Sequence, residues 1–450
     1  RQQNPFLPLC SVLVVLSSVH CAHCRPAKSS GGAVQGSPGT EAGGRRGDSA
    51  AGLAEETLPS MRGDALRATS SLKRANNQGD RAPGSAKKHS RTSMADESWR
   101  LPNSVQQLAA NMQEPPSQYL LREQELLGAN LAGAEMPEPV PTIDLGLLSA
   151  SNDPEEAAKL RSALQTWGFF QVSNHGMEAS MMDSVFTASR EFFQLPLEEK
   201  KKCSNLIDGK HFQVEGYGND QVRTQDQRLD WSDRLHLRVE PEGGRNLDHW
   251  PTHPKSFRDD LHEYALKCKG IRDDILRAMP KILKLDADCL VNQFNSNAPT
   301  FARFNHFPPC PRPDLVLGIK PHADFPALTV LLMDNDVAGL QYLRDGTWYN
   351  VPAACDHTLL INIGLTMEIM TNGIFTGPMH RVVTNADKER ISVAMFYGVD
   401  PEQEIGPMAH LLSEEQPAQY RKMKAKDLLV LHHEHYAGGR GPRIADTLKI

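Results

Sequence analysis

The sequence predicts an α+β, mainly β chain in which amphipathic helices of the N-terminal half flank an antiparallel barrel of the jelly-roll kind. Three observations carry this reading. Helical periodicity dominates as far as residue 295, whereas from residue 301 short β-runs follow one another, split by Gly, Pro, Asn and Asp. "RDG" at residues 344–346 joins two of these runs as a hairpin. With 450 residues, 39% of them apolar, the chain can bury a large core, and many short strands at this spacing close into a sandwich or jelly-roll barrel.

Taken in order, residues 1–93 stand apart from the rest. Phe6 is their only aromatic, and 13 Lys/Arg face 6 Asp/Glu, whereas the chain as a whole carries −6. Stretches such as "SSGGAVQGSPGTEAGGRRGDSAAG" bury too little apolar surface to offset chain entropy. The segment is therefore expected to be disordered or, with Met94 offering a natural start, to be upstream translation. "FLPLCSVLVVLSSVHCAHC" leaves a targeting segment open as a rival reading, but it is too short and interrupted for a membrane span. The five cysteines after Met94 (Cys203, Cys268, Cys289, Cys310, Cys355) are scattered and odd in number, which suits a reducing cytoplasm. Cys21 and Cys24 form a CxxC with no second pair at zinc-ribbon spacing. An acidic body also argues against nucleic acid as the main partner.

Residues 94–295 form the helical region. "SVQQLAANM" reads as a short helix and "VPTIDLGLLS" as a strand that turns. "NDPEEAAKLRSALQTWGFFQVSNHG" opens with the cap residues Asn152 and Asp153 and a proline in the first turn, runs at helical period, and becomes the strand "GFFQVSN". A second amphipathic helix stops near Pro196, and a long one spans "HPKSFRDDLHEYALKCKGIRDDILRAMPKILKL". Residues 296–405 hold the β-runs, among them "FARFNHF", "LGIKPHAD", "ALTVLLM", "TLLINIG", "HRVVTN" and "RISVAMFYG". Residues 406–450 are expected to be a helical tail.

His322 and Asp324 stand two apart in "GIKPHADF", so on a strand both side chains point to one face and can share a metal. A non-haem Fe(II) site needs two histidines and one carboxylate with the opposite side open. "GPMHRVVTN" supplies the third candidate, His380, at the start of a later run. Ten residues on, Arg390 and Ser392 again share a strand face, and an arginine with a hydroxyl suits a carboxylate.

The combination "PHAD … GPMHRVVTN … ERISVAMFY", with "FNHFPPCPRPDL" and "WGFFQVSNHG" upstream, resembles the plant Fe(II)/2-oxoglutarate-dependent dioxygenases over residues 100–450. The nearest branch contains flavonol synthase, senescence-related proteins and alkaloid O-demethylases. The resemblance implies a double-stranded β-helix, cupin-like. It implies Fe(2+) on His322, Asp324 and His380, and 2-oxoglutarate held by Arg390, Ser392 and Asn305. O2 would be consumed, succinate and CO2 released, and ascorbate used as reductant. It further implies a monomer acting on a small molecule such as a flavonoid, phenolic or alkaloid, by hydroxylation or O-demethylation. Phe325, Met333 and Phe396 are the expected pocket residues.

Three positions depart from the family pattern. Phe307 stands where a tyrosine usually gives its hydroxyl to 2-oxoglutarate, Phe325 where a small residue is usual, and Leu365 where an aspartate is common. Phe307 keeps open a 2-oxoglutarate-independent oxidase of the aminocyclopropanecarboxylate-oxidase type, and a catalytically silent cupin-like binding protein is the further alternative. Elsewhere blander readings prevail: "HHEH" at 432–435 as a solvated helix face, His175 as a turn residue, "EEKKK" at 198–202 as a charged helix end, and Trp231 as core. His306 either touches the cofactor region or replaces a packed tyrosine.

Overall fold

Asp153 and Pro154 start the first long helix for the reasons their types dictate. The Asp153 carboxylate accepts from the backbone N–H groups of Glu155 and Glu156 (2.9 and 3.0 Å), and Pro154 sits in the first turn, where no N–H is missed. This helix, α1 (Pro154–Thr166), is stopped by Gly168 at φ +71°. A Cβ at Gly168 would stand 2.2 Å from the Thr376 carbonyl oxygen, so backbone shape and space both require glycine. The computed structural model describes residues 103–126, 130–151, 153–354, 357–438 and 443–450; the N-terminal segment 1–93, Asn152 and Cys355 lie outside them.

α2 (Ala179–Gln194) buries Met182, Val185, Phe192 and Phe193, and the Leu195–Pro196 step ends it. α3 (Phe257–Ile282) packs against both earlier helices. Together they cover one face of an eight-stranded sheet with the order β2 (Thr142–Asp144), β3 (Phe169–Ser173), β11 (Leu359–Ile363), β8 (Leu328–Met333), β13 (Arg390–Tyr397), β6 (Thr300–Phe307), β5 (Asp233–Glu240), β4 (Gly216–Gly218). The main core lies between this face and the helices, where Val330, Ile361, Val393 and Met395 meet Phe192, Leu261 and Ile275. It contributes most of the buried apolar area and hence of the hydrophobic stabilisation.

A five-stranded sheet completes the barrel in the order β1 (Ala134–Glu135), β10 (Thr347–Asn350), β9 (Leu340–Arg344), β12 (His380–Val383), β7 (Leu317–His322). The expected hairpin joins β9 to β10, with Asp345 and Gly346 both at positive φ (50° and 78°), as a turn matched to strand twist requires. A second apolar cluster fills the space between the sheets. Phe169, Phe307, Met333 and Leu360 come from the larger sheet; Leu340, Tyr342 and Val382 come from the smaller. The fold is the jelly roll that the strand spacing predicted.

Two local departures have physical causes. "INIGLTMEIM" leaves the β-run at Gly364 and forms a short helix, α4 (Leu365–Met370), all of it buried. A continuous apolar run carries no periodicity that separates strand from helix. In "EEKKK", Lys200 is buried rather than solvated, its ammonium donating to Phe193 O and Gln106 Oε1.

Candidate metal centre

The barrel's two sheets meet where the chain passes from β7 to β8, and that crossing carries the aspartate. His322 is the last residue of β7, and His380, first in β12, is its cross-strand partner. Pairing slips between His380 and Val382, with Pro321 on the exposed side of the irregularity, which turns the strand end toward the interior. Asp324 lies just past the strand rather than on it. Its carbonyl accepts from Leu365 N (2.8 Å), which ties the turn to α4. Gly364 makes that approach possible, since a Cβ there would stand 2.0 Å from Pro326 O and 2.7 Å from Asp324 O.

The donor atoms of His322, Asp324 and His380 all lie within 4.8 Å of one another. Asp324 Oδ1 is 3.6 Å from His322 Nε2 and 3.7 Å from His380 Nε2. Every remaining polar atom of the three is taken. Asp324 Oδ2 accepts from Thr329 Oγ1 (2.6 Å) on β8 and Asn362 Nδ2 (2.8 Å) on β11. His322 Nδ1 bonds Lys320 O (2.9 Å) and His380 Nδ1 bonds Pro378 O (3.2 Å), which leaves both Nε2 atoms as acceptors. Burial alone would raise the Asp324 carboxyl, but His380 and His322 outweigh it and hold it well below the usual carboxylate range. Burial, reinforced by His322, lowers His380 to about 4, so it is neutral near pH 7. Two imidazoles and a carboxylate with outer partners in place fit Fe(II).

Arg390 and Ser392 rise from β13, opposite Phe307 and Asn305 of β6. Arg390 is 4% exposed, and its Nε and Nη1 have no hydrogen-bond partner among the described residues. Burial lowers the guanidinium to about 10, with Asp334 opposing, so it stays cationic at neutral pH. A buried cation with unmet donors fits the distal carboxylate of 2-oxoglutarate. Ser392 Oγ accepts from Asn305 Nδ2 (3.3 Å), Asn305 Oδ1 accepts from Arg303 Nε (2.7 Å), and Arg303 donates twice to Asp220 (3.0 and 2.9 Å). Arg303 and Arg234 overcome burial and hold Asp220 well below the ordinary carboxylate range.

Met333 is the cross-strand partner of Ser392 and belongs to the inter-sheet cluster. Phe396 is half-buried, paired with Thr329 on one side and Phe301 on the other. Phe325 packs on the main core, its ring 5.8 Å from that of His432. None of the three lines the cavity beside His322, which is bounded instead by Lys320, Leu365, Met379, His432, Tyr436 and Arg443.

That cavity shows what the sequence reading missed. His432 and Tyr436 sit on α5 (Ala425–Gly438), of which the sequence suggests a solvated face for residues 432–435. His433 and Glu434 are indeed exposed, but His432 Nε2 meets Ala323 O (2.9 Å), and the Tyr436 ring stands edge-on to His322 at 5.5 Å. Lys320 lies 4.0 Å from the Tyr436 ring centre and bonds Asp230, which also accepts from the Tyr436 hydroxyl. The spacing of His432 and Tyr436, four apart on one helix face, was the available signal. Of the other residues weighed, His175 is a turn residue tied to backbone, Trp231 is fully buried core, and His306 packs on Phe193 (5.0 Å) while pairing with Glu389.

A jelly roll that gathers two imidazoles and a carboxylate between its sheets is the scaffold of the mononuclear non-haem iron oxygenases. Comparison with known proteins narrows the class. Residues 140–254 match the family described as non-haem dioxygenase in morphine synthesis N-terminal, and residues 288–399 match the 2OG-Fe(II) oxygenase superfamily. Codeine O-demethylase of Papaver somniferum is 38% identical over 332 residues, covering 72% of this chain and 90% of that protein. The oxoglutarate-dependent flavonoid 7-O-demethylase 1 of Ocimum basilicum is 38% identical over 289 residues, covering 64% and 76%. The crystal structure of JOX2 in complex with 2OG, Fe and JA superposes with TM-score 0.69 at 31% identity, covering 78% of this chain and 99% of that one. The chain belongs to the 2OG-Fe(II) oxygenase superfamily: it is a 2-oxoglutarate-dependent dioxygenase whose cofactors are Fe(II) and 2-oxoglutarate, with O2 as cosubstrate.

Proposed function

We propose that His322, Asp324 and His380 hold the iron, that Arg390 with Ser392 and Asn305 anchors 2-oxoglutarate, and that the enzyme hydroxylates or O-demethylates a small, largely apolar plant metabolite of the flavonoid, phenolic or alkaloid type. The observation that carries this reading is the buried Arg390 guanidinium, whose Nε and Nη1 have no partner among the described residues. A cation in that state is completed by a dianion of matching length. The substrate class is supported by the relatives named as demethylases of codeine and of a flavonoid. Half-buried Phe396, with Phe301 beside a stacked His236 (4.9 Å), offers ring faces to an aromatic substrate.

When bound, iron and 2-oxoglutarate supply the oxidation: O2 is consumed, CO2 and succinate leave, and the substrate gains an oxygen. The protein's part is position. Thr329 and Asn362 fix one Asp324 oxygen, backbone carbonyls fix the imidazole tautomers, and the surrounding apolar cluster excludes water. Ascorbate is the expected reductant. The unpaired cysteines Cys203, Cys268, Cys289 and Cys310 support a cytoplasmic enzyme, which we take to act as a monomer.

The test is succinate release by the full-length protein, loaded with Fe(II) and given 2-oxoglutarate and ascorbate against a panel of plant phenolics and alkaloids. Succinate should form one-to-one with oxidised product. Product formed without 2-oxoglutarate would move the protein to the oxidase type, and failure to bind Fe(II) would make it a binding protein.

A further inference from the structure

The family resemblance implies a cosubstrate-binding tyrosine hydroxyl where this chain has Phe307, and the structure offers a substitute on the facing sheet. Tyr342 lies on β9 as the cross-strand partner of His380, and the centres of their rings are 5.3 Å apart. His380 is in turn the partner of His322, so Tyr342 continues the row of the two iron-binding histidines. Its ring stacks on Phe169 of the opposite sheet at 3.8 Å with 10° between planes, which fixes the hydroxyl's direction. Phe307, over which the Arg390 guanidinium stands at 5.4 Å, belongs to the same inter-sheet cluster.

Tyr342 is 1% exposed, and its hydroxyl has no hydrogen-bond partner among the described residues. A buried hydroxyl without a partner is unfavourable and is expected where a ligand completes it. Tyr119, Tyr217, Tyr264 and Tyr397 also bury unpaired hydroxyls, but they belong to the small N-terminal cluster or to the core beneath the helices. Tyr342 alone among them belongs to the inter-sheet cluster, which it shares with Phe307, the ring beneath the Arg390 guanidinium.

We propose that Tyr342 is a cosubstrate-binding residue: its hydroxyl donates to a 2-oxoglutarate oxygen and replaces the donor that Phe307 lacks. The inference rests on the assignment of Arg390 as the 2-oxoglutarate anchor. A phenol donating to a carboxylate is a charge-assisted hydrogen bond, so its loss should weaken cosubstrate binding about tenfold or more.

The experiment titrates 2-oxoglutarate into the full chain loaded anaerobically with Fe(II), using calorimetry and the visible charge-transfer absorption of the chelate, with Fe(II) affinity measured separately. Tyr342→Phe should raise the 2-oxoglutarate Kd at least tenfold with Fe(II) affinity unchanged. Adding Phe307→Tyr to that variant should restore most of the loss. Unchanged or tighter 2-oxoglutarate binding in Tyr342→Phe would overturn the proposal, since the ring would then merely fill space. Loss of Fe(II) affinity in parallel would also overturn it, by showing that the ring supports His380. Absence of 2-oxoglutarate binding in the wild type would instead overturn the assignment of Arg390.

Discussion

Asp324 divides its two oxygens between two tasks, and that division makes the centre selective at the level of single atoms. Oδ2 is held by Thr329 and Asn362, so Oδ1 faces the two imidazoles with little freedom to rotate. His322→Ala, Asp324→Ala and His380→Ala should each abolish turnover and reduce Fe(II) binding to background while circular dichroism stays native, because none of the three belongs to the helix-facing core. Asn362→Ala is the more discriminating change. It leaves all three donors but frees the carboxylate, and losses on removing such outer partners run at roughly 10- to 100-fold in metal affinity. Fe(II) titration of this variant beside wild type checks the point; equal affinities would mean that Oδ2 needs no anchor.

At the scale of elements, the site depends on a helix that contacts no predicted ligand except His322. α5 is fastened by Tyr436 to Asp230 and by His432 to Ala323 O, and Arg443 beyond it pairs with the buried Glu368 of α4. Tyr436→Phe keeps the ring on Lys320 but removes the bond to Asp230, a loss of about 1 kcal/mol. Amide exchange over residues 425–438 should quicken and the substrate KM should rise several-fold, with Fe(II) affinity unaltered; a variant with unchanged exchange would show that the hydroxyl does not fasten the helix. What was legible in the sequence follows the same division. Arg390 and Ser392 could be read because they lie within one strand's period of two, and His322 and Asp324 because they stand two apart in the sequence, although Asp324 lies just past the strand; His380 was legible only as a histidine opening a later β-run. Thr329, Asn362 and Tyr342 could not, since their relation to the centre exists only through the pairing of β8 with β11 and of β9 with β12. The docking of α5 is a tertiary fact, and periodicity in "LLVLHHEHY" says which residues share a face without saying what that face meets.

For the whole molecule, the buried histidines set how the fold responds to acid. Burial is the leading cause of a lowered pKa at His236, at His380 (about 4) and at His432 (about 4). In the unfolded chain each would titrate near the ordinary value of about 6.5. Below that pH the unfolded chain binds protons that the folded chain refuses, so stability is greatest above 6.5 and falls as pH drops toward 4. Each such histidine contributes a slope of up to about 1.4 kcal/mol per pH unit in this window. Asp220 and Asp324, both held below their ordinary range, act with the same sign but only below about pH 5, where the unfolded carboxylates begin to protonate. Urea unfolding of the iron-free protein at pH 7.5, 6.5, 5.5 and 4.5 should therefore give nearly constant stability over the first two values and a steep decline over the last two. His432→Gln, which keeps a polar group at the helix contact without titrating, should shallow that decline by about 1 kcal/mol per pH unit. Stability still constant at pH 4.5 would assign acid sensitivity to the carboxylates instead, and a decline unaltered in the variant would remove His432 from the account.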